Sequence, residues 1–407
     1  MEGFLCRTEF WEVRSDIARC VIQMSPVEDR RPSPWGCLLV SVNGCRQQVV
    51  QCERQKRLLL RANMKVGQPV LIALFITSGV WCQDQEYLAR LEYFYECPKE
   101  CKCPGRFSNA LYCDSKNIRE MPLVPSRVLY AYLQNNLIDA ISDKSFKNET
   151  QLKWLNLNKN MITSTNIGKD LFKKMENLLY LYLEDNNLEE VPSPLPSSLE
   201  QLRLARNRIS SIPEGTFSNL EKLTMLDLQG NRLKDSVIQP NTFRGLKMLL
   251  QLNLAQNDLK AMPEQVPAST LQLYLDNNSI KEIPIDYFSS LSKLSFVRLN
   301  NNEISNIGVP ETVFNVSSII DLQLSYNQLT AVPLIHFSLQ HLHLDHNQIK
   351  KINGAQICPV PVNTIYQRPI GEHQPQLRYL RLDGNGIKPP IPLELMMCFR
   401  LLSAIVI

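Results

Sequence analysis

Residues 178–210 read LLYLYLEDNNLEEVPSPLPSSLEQLRLARNRIS. The pattern L-x-x-L-x-L-x-x-N-x-L occurs twice in them. Leu178, Leu181, Leu183, Asn186 and Leu188 make the first copy; Leu199, Leu202, Leu204, Asn207 and Ile209 make the second. In L-x-L, leucines alternate with residues of a different character, which describes a short strand with one buried face. The Asn falls where the chain turns inward, where its amide can both donate to and accept from backbone groups that burial would otherwise strand. Segments such as Val191-Pro192 and Ile212-Pro213, the latter just before Thr216-Phe217, read as the return on the opposite side.

Outward from this stretch the pattern runs through most of the chain. Its Asn is found at 136, 160, 186, 207, 231, 257, 278, 302, 327, 347 and 385. A degenerate first copy holds Leu111, Cys113 and Ile118, with Lys116 in the Asn place. From Lys116 the steps are 20, 24, 26, 21, 24, 26, 21, 24, 25, 20 and 38 residues, a short-long-long rhythm that ends in one enlarged repeat. One repeat cannot bury its own leucines, so the copies must stack and the ends must be capped. The fold expected is a leucine-rich repeat solenoid of the α/β type. It has a curved parallel β-sheet on the concave face, disulfide-bonded caps at both ends, and short strands joined by irregular or 3-10 convex segments.

The residues between the leucines face the concave side. Tyr130, Tyr132, Trp154, Tyr180, Tyr182, Arg203, Tyr274, Arg298 and Arg381 are the candidate partner-binding residues, and Glu184, Asp276 and Asp345 continue the same alternation. The N-terminal third is aromatic, while the rest mixes amides with charges of both signs. Such a surface suits an extended protein partner better than a small substrate. The alternatives are a solvated sheet face or a face for self-association into a homodimer.

The remaining segments differ from the repeats in composition and charge. The chain has 407 residues with 44 Lys+Arg against 40 Asp+Glu. Residues 1–82 hold 11 basic and 7 acidic residues, so residues 83–407 are neutral and not built to bind nucleic acid. Residues 64–82, MKVGQPVLIALFITSGVWC, have the basic start and apolar run of a secretory signal peptide, with cleavage expected after Cys82. No stretch reaches 18 apolar residues, so no membrane insertion is expected. Residues 1–63 show no hydrophobic period and read as an upstream extension outside the mature protein, or else as a poorly structured leader. Residues 83–96 form an acidic tail in which Tyr87, Tyr93 and Tyr95 stand beside Glu86, Glu92 and Glu96 as candidate sulfation sites. An unmodified tail packed on the cap is the alternative.

Six of the twelve cysteines follow the signal. Cys97, Cys101, Cys103 and Cys113 form C-x3-C-x-C-x9-C within an N-terminal cap at 97–118; Cys358 and Cys398 lie in a C-terminal extended repeat and cap at 351–407, beyond the repeats at 119–350. An even number flanking a long tract free of cysteine fits disulfides in an oxidising compartment. Four cysteines allow three pairings, and spacing does not choose among them. A zinc knuckle is the alternative, but no His accompanies the cluster. Asn148, Asn277 and Asn315 head N-x-S/T acceptor sequences for N-glycosylation. His341-x-His343-x-Asp345 is one metal-like constellation, read as ordinary concave positions, with His346 pointing elsewhere; no metal or cofactor is expected. No nucleophile motif or phosphate-binding loop is present, so the chain does not read as an enzyme.

The cysteine cluster, the repeat rhythm and the enlarged repeat before Cys398 resemble those of the class II small leucine-rich proteoglycans. The stretches LYCDSKNIREMP (111–122), LEEVPSPLPSSLEQLRLARNRIS (188–210), LQHLHLDHNQIKKIN (339–353) and LRYLRLDGNGIKPPIP (377–392) carry the likeness. It spans residues 64–407 and leaves 1–63 outside. The resemblance implies secretion into extracellular matrix, binding of fibrillar collagen and control of fibril diameter and spacing. It implies N-linked keratan sulfate, which would map onto Asn148, Asn277 and Asn315. It also implies the pairings Cys97–Cys103, Cys101–Cys113 and Cys358–Cys398. Within the family the likeness is to a member of the corneal stroma that contributes to transparency. The competing function is a repeat-type ligand trap or signalling modulator for a growth factor or receptor.

Overall fold

The computed structural model describes residues 97–104, 109–146, 151–358, 374–388 and 390–407, and the backbone at 21–22 and 42–43. The signal segment, Tyr87, Tyr93, Tyr95, Asn148 and residues 359–373 lie outside the described residues. The chain divides into units at 1–87 and 88–407. In the first, β1 (Val21–Ile22) and β2 (Val42–Asn43) pair antiparallel.

The second unit is built on one parallel sheet of thirteen strands in chain order. Its strands are β3 (Ala110–Tyr112), β4 (Tyr130–Tyr132), β5 (Trp154–Asn156), β6 (Tyr180–Tyr182) and β7 (Gln201–Arg203). They continue with β8 (Met225–Asp227), β9 (Gln251–Asn253), β10 (Gln272–Tyr274) and β11 (Phe296–Arg298). The last are β12 (Asp321–Gln323), β13 (His341–His343), β14 (Tyr379–Arg381) and β15 (Ala404–Val406). Strands β3 to β14 are the degenerate copy and the eleven motif copies; β15 carries no motif and is recognisable only by pairing with β14. The register never slips: Leu181 faces Leu202, Leu202 faces Leu226, and so on along the centre of the sheet. Each central residue from β3 to β14 is essentially fully buried. A one-residue slip would turn every leucine to water, so burial fixes the register.

The motif asparagines form a second, buried ladder. Asn160 donates from Nδ2 to the carbonyls of Leu133 and Leu157, both at 3.0 Å, and its Oδ1 accepts from the backbone N–H of Ile138 at 3.1 Å. The first and third of these bonds reach into the preceding repeat, so each Asn ties two repeats as well as its own turn. The residue before each motif Asn sits in the left-handed region, for example Asn135 (φ 58°), Asp185 (φ 54°) and Tyr326 (φ 57°). Non-glycine residues rarely adopt this conformation, and the asparagine bonds hold the turn in it.

The convex side is lined inside by phenylalanines. Phe172, Phe217, Phe243 and Phe288 are fully buried, with the Phe217 and Phe243 rings 6.2 Å apart. Repeats approach closely here. A Cβ on Gly308 would lie 2.1 Å from the Lys281 carbonyl oxygen, so that position has no room for a side chain. Short 3-10 turns at Asp143–Ser145, Ser164–Asn166, Phe172–Lys174 and Asn306–Gly308 make the return on this side. At the N-terminal end, Lys102 pairs antiparallel with Tyr112 and covers the edge of β3. The cap is held by Cys97–Cys103 and Cys101–Cys113. At the other end, helices α1 (Gly354–Ile357) and α2 (Leu393–Cys398) are joined by Cys358–Cys398. The enlarged repeat does not interrupt the sheet, since His341 still pairs with Tyr379.

Candidate functional site: the concave face of the sheet

Each three-residue strand turns its middle side chain into the core and its first and third outward. Two columns of side chains therefore run along the concave face about 4.8 Å apart from strand to strand. Over β3–β6 the columns are filled with rings. Tyr112 and Tyr132 stack with centroids 4.9 Å apart at 5°. Trp154 lies 5.2 Å from Tyr180 and 5.1 Å from Tyr182. Tyr112 was missed in the sequence reading, although it sits between Leu111 and Cys113 in the same alternation as the others. The degenerate copy hid it.

The aromatic residues that the alternation places on the concave face do not stand free. Tyr130, Tyr132, Trp154 and Tyr180 are half-buried against one another, and Tyr182 is buried, with 8% of its surface exposed. Its hydroxyl donates to Gln201 Oε1 at 2.8 Å, and the Arg203 guanidinium lies 4.7 Å from its ring centre. Neighbouring repeats bring their rings closer than side-chain reach, so they pack sideways rather than standing free. Tyr182 is thus part of the support of the face.

Beyond β6 the columns carry charge. Arg206 donates to Asp185 at 2.7 and 2.8 Å, and Glu184 lies 3.3 Å from Arg206 and 3.8 Å from Arg203. The guanidinium holds the Asp185 carboxyl below the usual range, whereas burial pushes Glu184 and Asp227 up. Arg298 donates to Asp276 at 2.8 Å and lies 5.1 Å from the Tyr274 ring centre. Arg381 donates to both oxygens of Asp383, at 2.8 and 3.1 Å, and is 3.7 Å from Asp345. The candidate arginines are therefore already engaged with acids on their own face. Asp276 (4% exposed) and Asp345 (1% exposed) are buried and are not contact residues, contrary to the alternation. Each lies two residues past its strand, where the chain has begun to turn inward.

Of the histidines, only the placement of His346 differs from the alternation. His341 and His343 do not gather around Asp345. His346, expected to point away, brings Nδ1 to 3.2 Å from Asp345 Oδ2 and stacks on Tyr326 with centroids 4.1 Å apart. Asp345, His346 and Asp383 are one cluster with metal-ligand reach among the described residues. Arg381 already supplies its positive charge, and the Ser325 hydroxyl donates to Asp345. Burial lowers the His343 pKa. Of the acceptor asparagines, Asn277 and Asn315 are exposed. Asn277 Oδ1 accepts a 2.7 Å bond from Asn301.

Comparison with known proteins matches this architecture. A leucine-rich repeat profile matches residues 131–188 and 197–259. A leucine-rich repeat chain from an octameric complex of Latrophilin 3, Unc5D and FLRT2 superposes with a TM-score of 0.58 at 23% identity, over 76% of this chain and 83% of that one. That likeness shows the fold. Keratocan of Gallus gallus is 57% identical over 348 residues, which cover 83% of this chain and 98% of the relative. Keratocan of Homo sapiens is 55% identical over 345 residues, again 83% of this chain and 98% of the relative. Prolargin of Mus musculus is 52% identical over 315 residues, 77% of this chain and 83% of the relative. A disulfide-capped repeat solenoid with these relatives is an extracellular-matrix proteoglycan, a structural and binding protein and not an enzyme. The chain belongs to the keratocan group of the class II small leucine-rich proteoglycans. Among the described residues no helix is long and apolar enough to cross a membrane.

Proposed function

We propose that this protein binds fibrillar collagen through the concave face of its repeats and limits the diameter and sets the spacing of fibrils, in corneal stroma. The identity to keratocan across nearly the whole relative carries this reading. Its mechanism makes and breaks no bond. The sheet face occupies the fibril surface and so blocks lateral accretion. Glycans at Asn148, Asn277 and Asn315, extended as keratan sulfate, hold water and anionic charge between fibrils; Asn277 and Asn315 are exposed, as attachment requires. Residues 64–82 direct secretion and are removed, with 1–63 upstream of the mature chain. Tyr87, Tyr93 and Tyr95 then lie in an acidic tail that sulfation would make more negative.

The direct test is collagen fibril assembly followed by turbidity and electron microscopy. The secreted protein is expected to lengthen the lag and thin the fibrils in proportion to its concentration. Fibrils of unchanged diameter and rate would remove the proposal. Stoichiometric capture of a soluble growth factor without collagen binding would replace it with a ligand trap. Mass spectrometry of the same preparation is expected to find Gln83 at the N-terminus, glycans at the three asparagines and sulfate on the tail tyrosines.

A further inference from the structure

The two outward columns of the sheet divide its face by charge. Over β3–β6 they hold no charged residue, and six of the eight positions are aromatic: Tyr112, Tyr130, Tyr132, Trp154, Tyr180 and Tyr182. From β7 onward the same columns carry Arg203, Asp227, Arg298, Asp321 and Arg381. The aromatic part also has hydrogen-bond donors to spare. Among the described residues the hydroxyls of Tyr112, Tyr130 and Tyr132 have no hydrogen-bond partner, unlike those of Tyr180 and Tyr182, which donate to Glu200 and Gln201. Charges stand beside the patch and not in it: Glu200 accepts from the Tyr180 hydroxyl, and the Arg203 guanidinium lies 4.7 Å from the Tyr182 ring centre.

These features specify a ligand chemistry. A ladder of rings with free hydroxyls and no charge in its columns offers a charged side chain no ion-pair partner in exchange for its water. It suits a chain that presents flat apolar rings together with unpaired carbonyl oxygens. Polyproline II has that surface: no internal hydrogen bonds, a solvated backbone, and little conformational entropy left to lose on docking against aromatic side chains. Three interstrand steps make the patch about 14 Å long, which matches about four or five residues at about 3.1 Å each. A collagen triple helix is three such chains wound together.

We propose that the aromatic third of the sheet, Tyr112 to Tyr182, is a docking site for imino-acid-rich, uncharged stretches of the collagen triple helix, with pyrrolidine rings on Tyr132 and Trp154 and backbone carbonyls accepting from the free hydroxyls. This rests on the collagen reading above and adds to it which part of the molecule engages which part of collagen. It confines contact on this patch to the Gly-Pro-Hyp-rich segments of a fibril.

The test uses the secreted protein and two triple-helical peptides of equal length, one of Gly-Pro-Hyp repeats and one with Lys and Glu replacing the imino acids. Binding is measured by calorimetry and by the emission of Trp154, the only tryptophan after residue 82. The imino-rich peptide is expected to bind about tenfold or more tighter than the charged one and to shift the Trp154 emission to the blue. Trp154→Ala and Tyr132→Ser are each expected to weaken it about tenfold in protein that still unfolds cooperatively. Equal or tighter binding of the charged peptide, an unmoved emission maximum, or folded variants that bind like the parent would overturn the proposal. If Trp154→Ala does not fold, Tyr132→Ser and the emission shift decide the matter. Binding of intact collagen without binding of the imino-rich peptide defeats this inference alone, whereas failure to bind collagen at all defeats the proposed function with it.

Discussion

Asn257 donates to the carbonyls of Leu228 and Leu254, both at 3.0 Å, and accepts from the Leu233 N–H at 3.0 Å. Alanine in its place would strand buried donors and acceptors in two repeats at once. The expected cost of Asn257→Ala is about 2–3 kcal/mol, read as a lower urea midpoint. A charged residue nearby behaves in the opposite sense. Asp227 accepts from the Gln229 N–H, but burial still outweighs the attraction of Arg203 and Arg206 and raises its pKa. The native state therefore binds its proton more tightly than the unfolded chain. The contribution of Asp227 to stability is fullest in acid and is lost as pH rises from the ordinary aspartate range through the raised value. Asp227→Asn, which keeps the acceptor and drops the charge, should raise the melting temperature at pH 7. The gain should shrink as the pH is lowered toward the ordinary aspartate range, and a gain independent of pH would contradict the account.

At the scale of one repeat, the leucines do most to hold the structure together. Leu254 is fully buried between the strand and the convex side. Its neighbours belong to repeats already fixed by the asparagine ladder and cannot collapse into the space it would leave. Leu254→Ala is expected to lower stability by about 2–5 kcal/mol in equilibrium unfolding. Loss of less than 1 kcal/mol would mean that the site repacks. The convex returns follow a different rule. They vary in length by several residues between copies, yet the strands stay in register, because loop residues are absorbed on the outside while the leucines and asparagines set the pitch.

For the solenoid unit, residues 88–407, the repeats touch only their neighbours, so stability spreads along the stack and weakens at its ends. Cys358 and Cys398 close the C-terminal end across 40 residues of sequence. In the chain-entropy treatment a loop of that size is worth about 4 kcal/mol. Selective reduction of this bridge is expected to raise hydrogen exchange in β14, β15 and α2 first, and to leave β8 and β9 protected. Uniform exchange along the sheet would show that the stack opens as one unit. The two ends also differ: the β3 edge is covered by the Lys102 pairing, whereas β15 is the last strand of the sheet.

The sequence by itself determined the stacking, the number of motif turns and the side of each strand that holds its leucines, because a repeat that cannot bury its own core leaves only one way to do so. The choice among cysteine pairings needed either family likeness or coordinates, since spacing gave three equal answers. Tertiary structure alone decided which outward residues are surface. Tyr182, Asp276 and Asp345 obey the same alternation as Tyr130 and Arg298, yet they are buried, because exposure is set by the neighbouring repeat and by where the chain bends inward. It also decided that Arg206, Arg298 and Arg381 are held by acids from their own or adjacent turns. Pairing across repeats depends on distances in space that separation along the chain does not encode.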